Sequence, residues 1–357
     1  MGLLEETLEA IAAPGETAGA GAGRRLDSLT KPRGSLGYLE EIVRSYAAIR
    51  RDPEARMGGG ALCVFVADHG VAEEGVSAYP QAVTAEMLRN IAGGGAAISV
   101  LARRFGYRLW IADVGVAADT SADALAGVLY RRIAPGTRNL AREAAMSVTQ
   151  ARAALEAGVE VARGAVASGA TLMGIGEMGI ANSTSATALL AAFTRIRPAR
   201  LAGRGTGVDD AGMRRKVAII ERALKLHRAA LKDPLATLAA LGGFEIAAMA
   251  GVCLAGAALN VPVVVDGFIA TAAAVAAERL SPGLFAHLFF GHRSAEGGHA
   301  LVLEKLGVGP IVDLGMRLGE GTGAALAMSV IEAGLSLFHE MATFESAGVS
   351  EKIAEKI

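Results

Sequence analysis

The apolar run Ala61-Leu-Cys-Val-Phe-Val-Ala67, which stops abruptly at Asp68-His69-Gly70, constrains this chain more than any other segment. A strand with one wet face alternates polar and apolar residues. A strand that is apolar throughout must be covered on both faces, as the strands of parallel sheets are. The pattern recurs at Arg108-Leu-Trp-Ile-Ala-Asp113 after a helical 84–104 segment, and at Ala170-Thr-Leu-Met-Gly-Ile175 after a helical 149–167 segment. It recurs again at Val261-Pro-Val-Val-Val265, between apolar helices over 244–259 and 268–279. Strands alternating with helices of about ten or more residues imply a parallel sheet with right-handed crossovers. The expected fold class is therefore α/β. Ligands of such sheets bind beyond the carboxyl ends of the strands, which singles out Asp68-His69, Asp113, Gly174–Asn182, Asp266 and the His292–His299 loop.

Charge and cysteine content narrow the partners. The 357 residues carry 35 basic and 36 acidic side chains, so no large field exists to attract nucleic acid or anionic lipid. A small-molecule substrate is expected. Cys63 and Cys253 both sit in apolar runs and read as buried, reduced thiols. The N-terminal MGLLEETLEAIAAPGE is acidic and amphipathic, without the basic and apolar regions of a secretory signal. The longest apolar stretch, Ile246–Leu259, is 14 residues and falls short of the roughly 20 needed to cross a bilayer. The expectation is a cytoplasmic protein without a membrane span. In the first fifty residues, the loop Leu29–Gly37 interrupts helical patterning that resumes at Tyr38, and helix-like spacing returns from about residue 325. This predicts a small helical domain assembled from 1–55 and 325–357, beside a large α/β domain over 56–324.

The 46 glycines cluster in Gly174–Gly179, Gly203–Gly207, Gly291–Gly298 and Gly315–Gly323. Gly174-Ile-Gly-Glu-Met-Gly179 fits G-x-G-x-x-G, follows a strand and precedes a helix opened by Asn182-Ser-Thr-Ser185, where backbone N–H groups can hold an anion. No acidic residue closes the next strand about 20 positions on, which weakens a nicotinamide-dinucleotide reading. Glu177 would repel a phosphate and suits a ribose hydroxyl better. Gly203-Arg-Gly-Thr-Gly207, with Lys216 on the following helix, reads either as a phosphate nest or as a surface loop capped by Asp209 or Asp210. His292 and His299 are seven positions apart across two glycines, which is not a helical metal-site spacing, and no metal is expected. His69 reads as a general base or as a residue orienting a loop through Asp68. Glu320, set among the glycines of Leu314–Gly323, reads as a desolvated general base or as a turn glutamate capping the next helix. Unaided, the residues describe an α/β enzyme acting on a small phosphorylated, nucleoside-like ligand.

Taken in order, several segments resemble the nicotinate-nucleotide–dimethylbenzimidazole phosphoribosyltransferases. They are Lys31-Pro-Arg-Gly-Ser-Leu-Gly37, Ala67-Asp-His-Gly-Val71 with Glu74-Gly75, Gly174–Asn182, Gly242-Gly-Phe244, Asp266-Gly-Phe268, Ser294-Ala-Glu296 and Met316–Met328. The resemblance implies a Rossmann-like sheet flanked by helices, a small helical domain from both termini, and a homodimer. It implies transfer of ribose 5-phosphate from nicotinate mononucleotide to 5,6-dimethylbenzimidazole, with no cofactor, in the synthesis of the cobalamin lower ligand. It places Glu320 as the general base. Gly176, Glu177, Met178, Gly179, Gly203, Gly205, Lys216 and Ser294 would bind the nucleotide, and Tyr79, Met87 and Leu318 the benzimidazole. Tyr79 stands where a smaller serine occurs in the family, and Arg204 and Thr206-Gly207 also depart from its pattern. Two further readings stay open: a nucleotide-binding protein without turnover, and a dinucleotide-dependent oxidoreductase.

Overall fold

The computed structural model describes residues 2–205, 207 and 209–350. Thr206 and Val208 of the expected phosphate loop, and 351–357 of the expected helical domain, lie outside the described residues. Seven strands form one sheet: β1 Gly60–Ala67, β2 Arg108–Gly115, β3 Val128–Tyr130, β4 Leu172–Met178, β5 Val263–Val265, β6 Leu288–His292 and β7 Pro310–Val312. Their order is β3-β2-β1-β4-β5-β6-β7, and every adjacent pair is parallel. The chain starts at the centre, winds out to one edge and returns past β1 to β4. The order therefore reverses between β1 and β4, and loops leaving these two strands diverge to open a crevice.

Strand β1 explains why the sheet is covered on both faces. Leu62, Val64 and Val66 point into one apolar cluster, and Cys63, Phe65 and Ala67 into another. The first cluster is closed by the helices Glu16–Ser28, Tyr38–Arg50, Ala82–Ala92, Ala97–Phe105 and Thr322–Glu340. The second is closed by Val148–Ala167, Asn182–Thr194, Phe244–Ala258 and Phe268–Leu280. Both cysteines are fully buried, and burial pushes each thiol up to about 12.

The chain ends meet on the first face. Leu29 pairs with Thr343, and the Arg25 guanidinium donates to the carbonyl oxygen of Phe338 at 3.0 Å. The helix Thr322–Glu340 passes through residue 325 without a break and buries Ala324, Ala327, Met328 and Ile331 together with Leu62 and Val64 of β1. This helix is long and apolar enough by length and composition to cross a membrane, yet its apolar residues serve as core packing here. Helix Leu3–Glu9 lies on the opposite face, where Glu5 pairs with Arg152.

The strands expected from apolar runs are present within a few residues. The edge strands β3 and β7 carry no run long enough to read, being three residues each. The segment expected as one helix over 84–104 is two, Ala82–Ala92 and Ala97–Phe105, broken at Gly93-Gly94-Gly95 where Gly94 takes φ +84°.

Candidate active site

A cavity of about 370 Å³ lies beyond the carboxyl ends of β1, β4, β5 and β6, at the reversal of strand order. One wall is the β4 exit. Ala181 takes φ +73° at the cap of helix Asn182–Thr194, turning the chain sharply after Gly179. A Cβ on Gly179 would stand 2.5 Å from the carbonyl oxygen of Ala67, so glycine alone lets this turn pass the end of β1. The Asn182 amide donates to the Glu177 carboxylate. Burial, then the charges of Glu245 and Asp266, push the Glu177 carboxyl up to about 8 against the opposing Asn182 bond, with Glu320 adding to the rise. At neutral pH Glu177 is thus mostly protonated. This removes the repulsion that a carboxylate in an anion-binding turn would exert.

Glu320 packs against the back of the same wall. Its backbone N–H donates to the Glu177 carbonyl oxygen at 3.2 Å, and its own backbone sits at φ +62°, a left-handed conformation costly for glutamate. The carboxylate does not cap the helix that follows. It accepts from the Ile98 N–H at 3.3 Å, at the amino end of helix Ala97–Phe105. Burial raises the Glu320 pKa, the Ile98 bond opposes that rise, and Asp266 adds to it. Asp266, at the exit of β5, accepts from the N–H groups of Gly321 at 3.3 Å and Ala324 at 3.0 Å. It thereby ties the start of helix Thr322–Glu340 to the sheet. Leu318 and Gly319 line the cavity directly before Glu320, which is itself 5% exposed.

The opposite end of the cavity is cationic. Lys216 is 1% exposed, and its ammonium donates to Ser183 Oγ at 2.8 Å and to the Gly203 carbonyl oxygen at 3.1 Å. Burial lowers its pKa to about 8, with the nearby Glu296 opposing. Glu296 accepts from the Gly205 N–H at 2.9 Å, and Arg317 donates to the Gly205 carbonyl oxygen at 3.3 Å. Asp209 caps the helix Asp210–Leu226 that carries Lys216, accepting from Gly212 N–H at 2.7 Å. Of the two sequence readings of this segment, the structure shows the loop capped by Asp209.

Glu177, Met178, Gly179, Gly205, Ser294, Tyr79 and Leu318 line the cavity. Gly176 lies behind the wall under the Glu320 backbone, and Gly203 and Lys216 lie behind Gly205 and Ser183. Met87 does not reach the cavity; it packs into the first apolar cluster, and its Sδ accepts from Asn90 at 3.9 Å. His299 has both ring nitrogens engaged. Its Nδ1 accepts from Ser294 N–H at 2.9 Å, which leaves Nε2 to donate to Thr271 Oγ1 at 2.9 Å, and burial holds its pKa down to about 3. Among the described residues no group of three or more His, Cys, Asp or Glu side chains is placed to hold a metal ion. His69 turns away from Asp68 toward Ser185 and Glu245. Asp113 is engaged in its own turn, accepting from Gly115, Val116 and Thr120. Asn182, Ser183, Glu296 and Arg317 were not individually named as binding residues, although Asn182 and Ser183 open the helix after β4, Glu296 lies in the loop after β6 and Arg317 in the glycine-rich segment before Glu320.

A family model described as a phosphoribosyltransferase matches residues 11–349. The nicotinate-nucleotide–dimethylbenzimidazole phosphoribosyltransferase of Chloroflexus aurantiacus is 48% identical over 353 residues, covering 99% of this chain and all of that one. The protein of the same name from Pelodictyon phaeoclathratiforme is 50% identical over 334 residues, 94% of each chain. The crystal structure of CobT from Thermus thermophilus superposes with a TM-score of 0.89 at 46% identity, covering 94% of this chain and all of that one. With its reversal-point cavity, buried glutamates and cationic end, this chain belongs to the nicotinate-nucleotide–dimethylbenzimidazole phosphoribosyltransferase family.

Proposed function

We propose that the protein transfers the ribose 5-phosphate of nicotinate mononucleotide to 5,6-dimethylbenzimidazole, releasing nicotinate and giving α-ribazole 5′-phosphate for the cobalamin lower ligand. The observation that carries the site assignment is the cavity at the reversal of strand order, lined by Glu177, Met178, Gly179, Gly205 and Ser294, with the buried Glu320 on the turn that follows Leu318 and Gly319 of its lining. In this reading the phosphate sits at the cationic end, near Lys216, Ser183, Gly203, Gly205 and Ser294. Gly176, Glu177, Met178 and Gly179 form the wall behind the ribose. The benzimidazole enters by Tyr79 and Leu318.

The chemistry requires little else. Nicotinate leaves a cationic pyridinium as a neutral ring, so no general acid acts on it. Attack of a benzimidazole nitrogen on C1′ makes the incoming ring cationic and its remaining N–H acidic. Glu320 takes that proton, an interaction strongest in the transition state. Its raised pKa brings it nearer the working pH, which improves a base. Protonated Glu177 donates to a ribose hydroxyl without opposing the phosphate. Back-side attack converts the β linkage to α. We extend the reading to a cytoplasmic homodimer: Tyr79, Leu314 and Leu318 are 55%, 61% and 58% exposed beside the cavity mouth, and a second copy would cover them.

Incubation of the purified chain with nicotinate mononucleotide and dimethylbenzimidazole, read by chromatography for nicotinate and proton NMR of the new linkage, tests this. An α-linked product formed only with enzyme supports the reading. Nicotinate release without that product means hydrolysis or another acceptor. Absence of release favours a binding protein.

A further inference from the structure

Directly behind the ribose wall lies a buried cluster that the proposed chemistry does not use. His69, the second residue after β1, is fully buried; its Nε2 stands 2.6 Å from Glu245 Oε1 and its Nδ1 3.0 Å from Ser185 Oγ. Glu245 is equally buried, and its Oε2 has no hydrogen-bond partner among the described residues. A nitrogen–oxygen separation this short is that of a strong hydrogen bond to a charged group. The three side chains come from three elements: the β1 exit, the second turn of Asn182–Thr194 and the first turn of Phe244–Ala258. A Cβ on Gly243 would lie 2.7 Å from Glu245 Oε2 and closer still to the His69 ring, so that glycine's backbone is packed onto the pair.

The cluster touches the cavity wall through one residue. A Cβ built on Gly179 would lie 3.5 Å from Glu245 Oε1 and 3.5 Å from Asn182 Nδ2, so the carboxylate and the amide flank the same backbone atom. Asn182 in turn donates to Glu177. We propose that His69 and Glu245 are positioning residues: a buried pair whose carboxylate, beside Gly179 and Asn182, sets the charge that Glu177 meets from behind the wall and holds Gly179 and Asn182 in register behind the ribose.

The charges facing Glu177 support this. They are Glu245 from the helix Phe244–Ala258, Asp266 from the β5 exit and Glu320 from the loop before Thr322–Glu340, all acidic; Asn182 is the opposing donor. Glu245 is the largest of the three charges in raising Glu177. His69 bridges Glu245 and Ser185, and Asp68 precedes it at the β1 exit, its own carboxyl pushed up by burial first. The inference rests on Glu177 facing the ribose, and its deciding test, an infrared titration, reads without turnover.

The acid C=O band of Glu177, isolated as the infrared difference between wild type and Glu177→Gln, should disappear with a midpoint at about pH 8 in the wild-type chain. In Glu245→Gln the midpoint should fall by about one pH unit or more, because a like charge has been removed. His69→Gln should move it the same way, since a buried carboxylate stripped of its strong hydrogen bond takes up a proton. The alkaline limb of kcat/KM for nicotinate mononucleotide should shift in parallel and vanish in Glu177→Gln. A folded Glu245→Gln or His69→Gln chain with the wild-type midpoint overturns the proposal. Where neither variant folds, the nitrogen chemical shifts of His69 in the wild-type protein decide: a proton on Nε2 at neutral pH supports the pair, and a bare Nε2 overturns it. Failure of turnover with a normal infrared titration would count against the transferase reading and leave the pair intact.

Discussion

Replacing Gly176 by alanine should damage catalysis without touching any side chain that binds substrate. Gly176 is the fifth residue of β4, and the Glu320 backbone crosses it. A Cβ there would stand 2.5 Å from both the carbonyl carbon and oxygen of Glu320, and closer still to Gly321 N. Ordinary carbon contacts begin near about 3.5 Å, so the strand and the Glu320 turn must separate by about 1 Å. The neighbours are backbone atoms held by Asp266 through Gly321 and Ala324, so no flexible side chain can absorb the shift. Overpacking of this kind costs about 1–3 kcal/mol of stability. A displacement of about 1 Å in a catalytic group costs about 100-fold in rate. The assay is steady-state formation of ribazole phosphate, with thermal unfolding in parallel. We expect kcat down about 100-fold, KM for nicotinate mononucleotide within a few-fold, and a lowered Tm. A folded Gly176→Ala protein with kcat within twofold of wild type would refute the claim that this crossing sets the base.

Three other outcomes follow from the site. Glu320→Gln should retain nucleotide affinity and lose about 10²–10⁴ in kcat; in the wild type, kcat should fall with acid at a pH above the ordinary carboxylate range, a limb that the variant lacks. Lys216→Met keeps the buried stem and removes the charge, and should raise KM for the mononucleotide about 10- to 100-fold, as loss of a hydrogen bond to a charged group worth about 1.5–3 kcal/mol predicts; an unchanged KM would put the phosphate elsewhere. Glu177 titrates at about 8 when folded against an ordinary 4.5, so its favourable contribution is complete below the lower value and is lost as pH rises through the upper one. Urea unfolding should therefore show Glu177→Gln gaining on wild type between about pH 4.5 and about pH 8, and equal curves would contradict the burial argument.

Much of the architecture was legible because its signal is local. An apolar run that ends in Asp68 or Asp266 marks both a strand and its functional end, and the order of such runs implies a parallel sheet. Helical periodicity at both chain ends was visible, and the Leu29–Thr343 bridge brings those ends together. The short edge strands were not legible, since three residues carry no period. The G-x-G-x-x-G turn illustrates the limit of motifs. Its second and third glycines are explained by the Glu320 backbone over Gly176 and the Ala67 carbonyl oxygen beside Gly179, and neither neighbour is near in sequence.

What the amino-acid order determined by itself was the covering of both sheet faces and the location of polar loops at strand ends, because burial periodicity is written residue by residue. The resemblance of the motifs extended this to candidate roles. The tertiary structure alone decided which acids share a neighbourhood. Glu320 reaches the amino end of a helix 222 positions away, and His69 meets a carboxylate 176 positions away. Whether Glu177 is a repelling anion or a proton donor depends on how much water is excluded and which charges surround it. Those are properties of the packed arrangement, and no spacing along the chain encodes them.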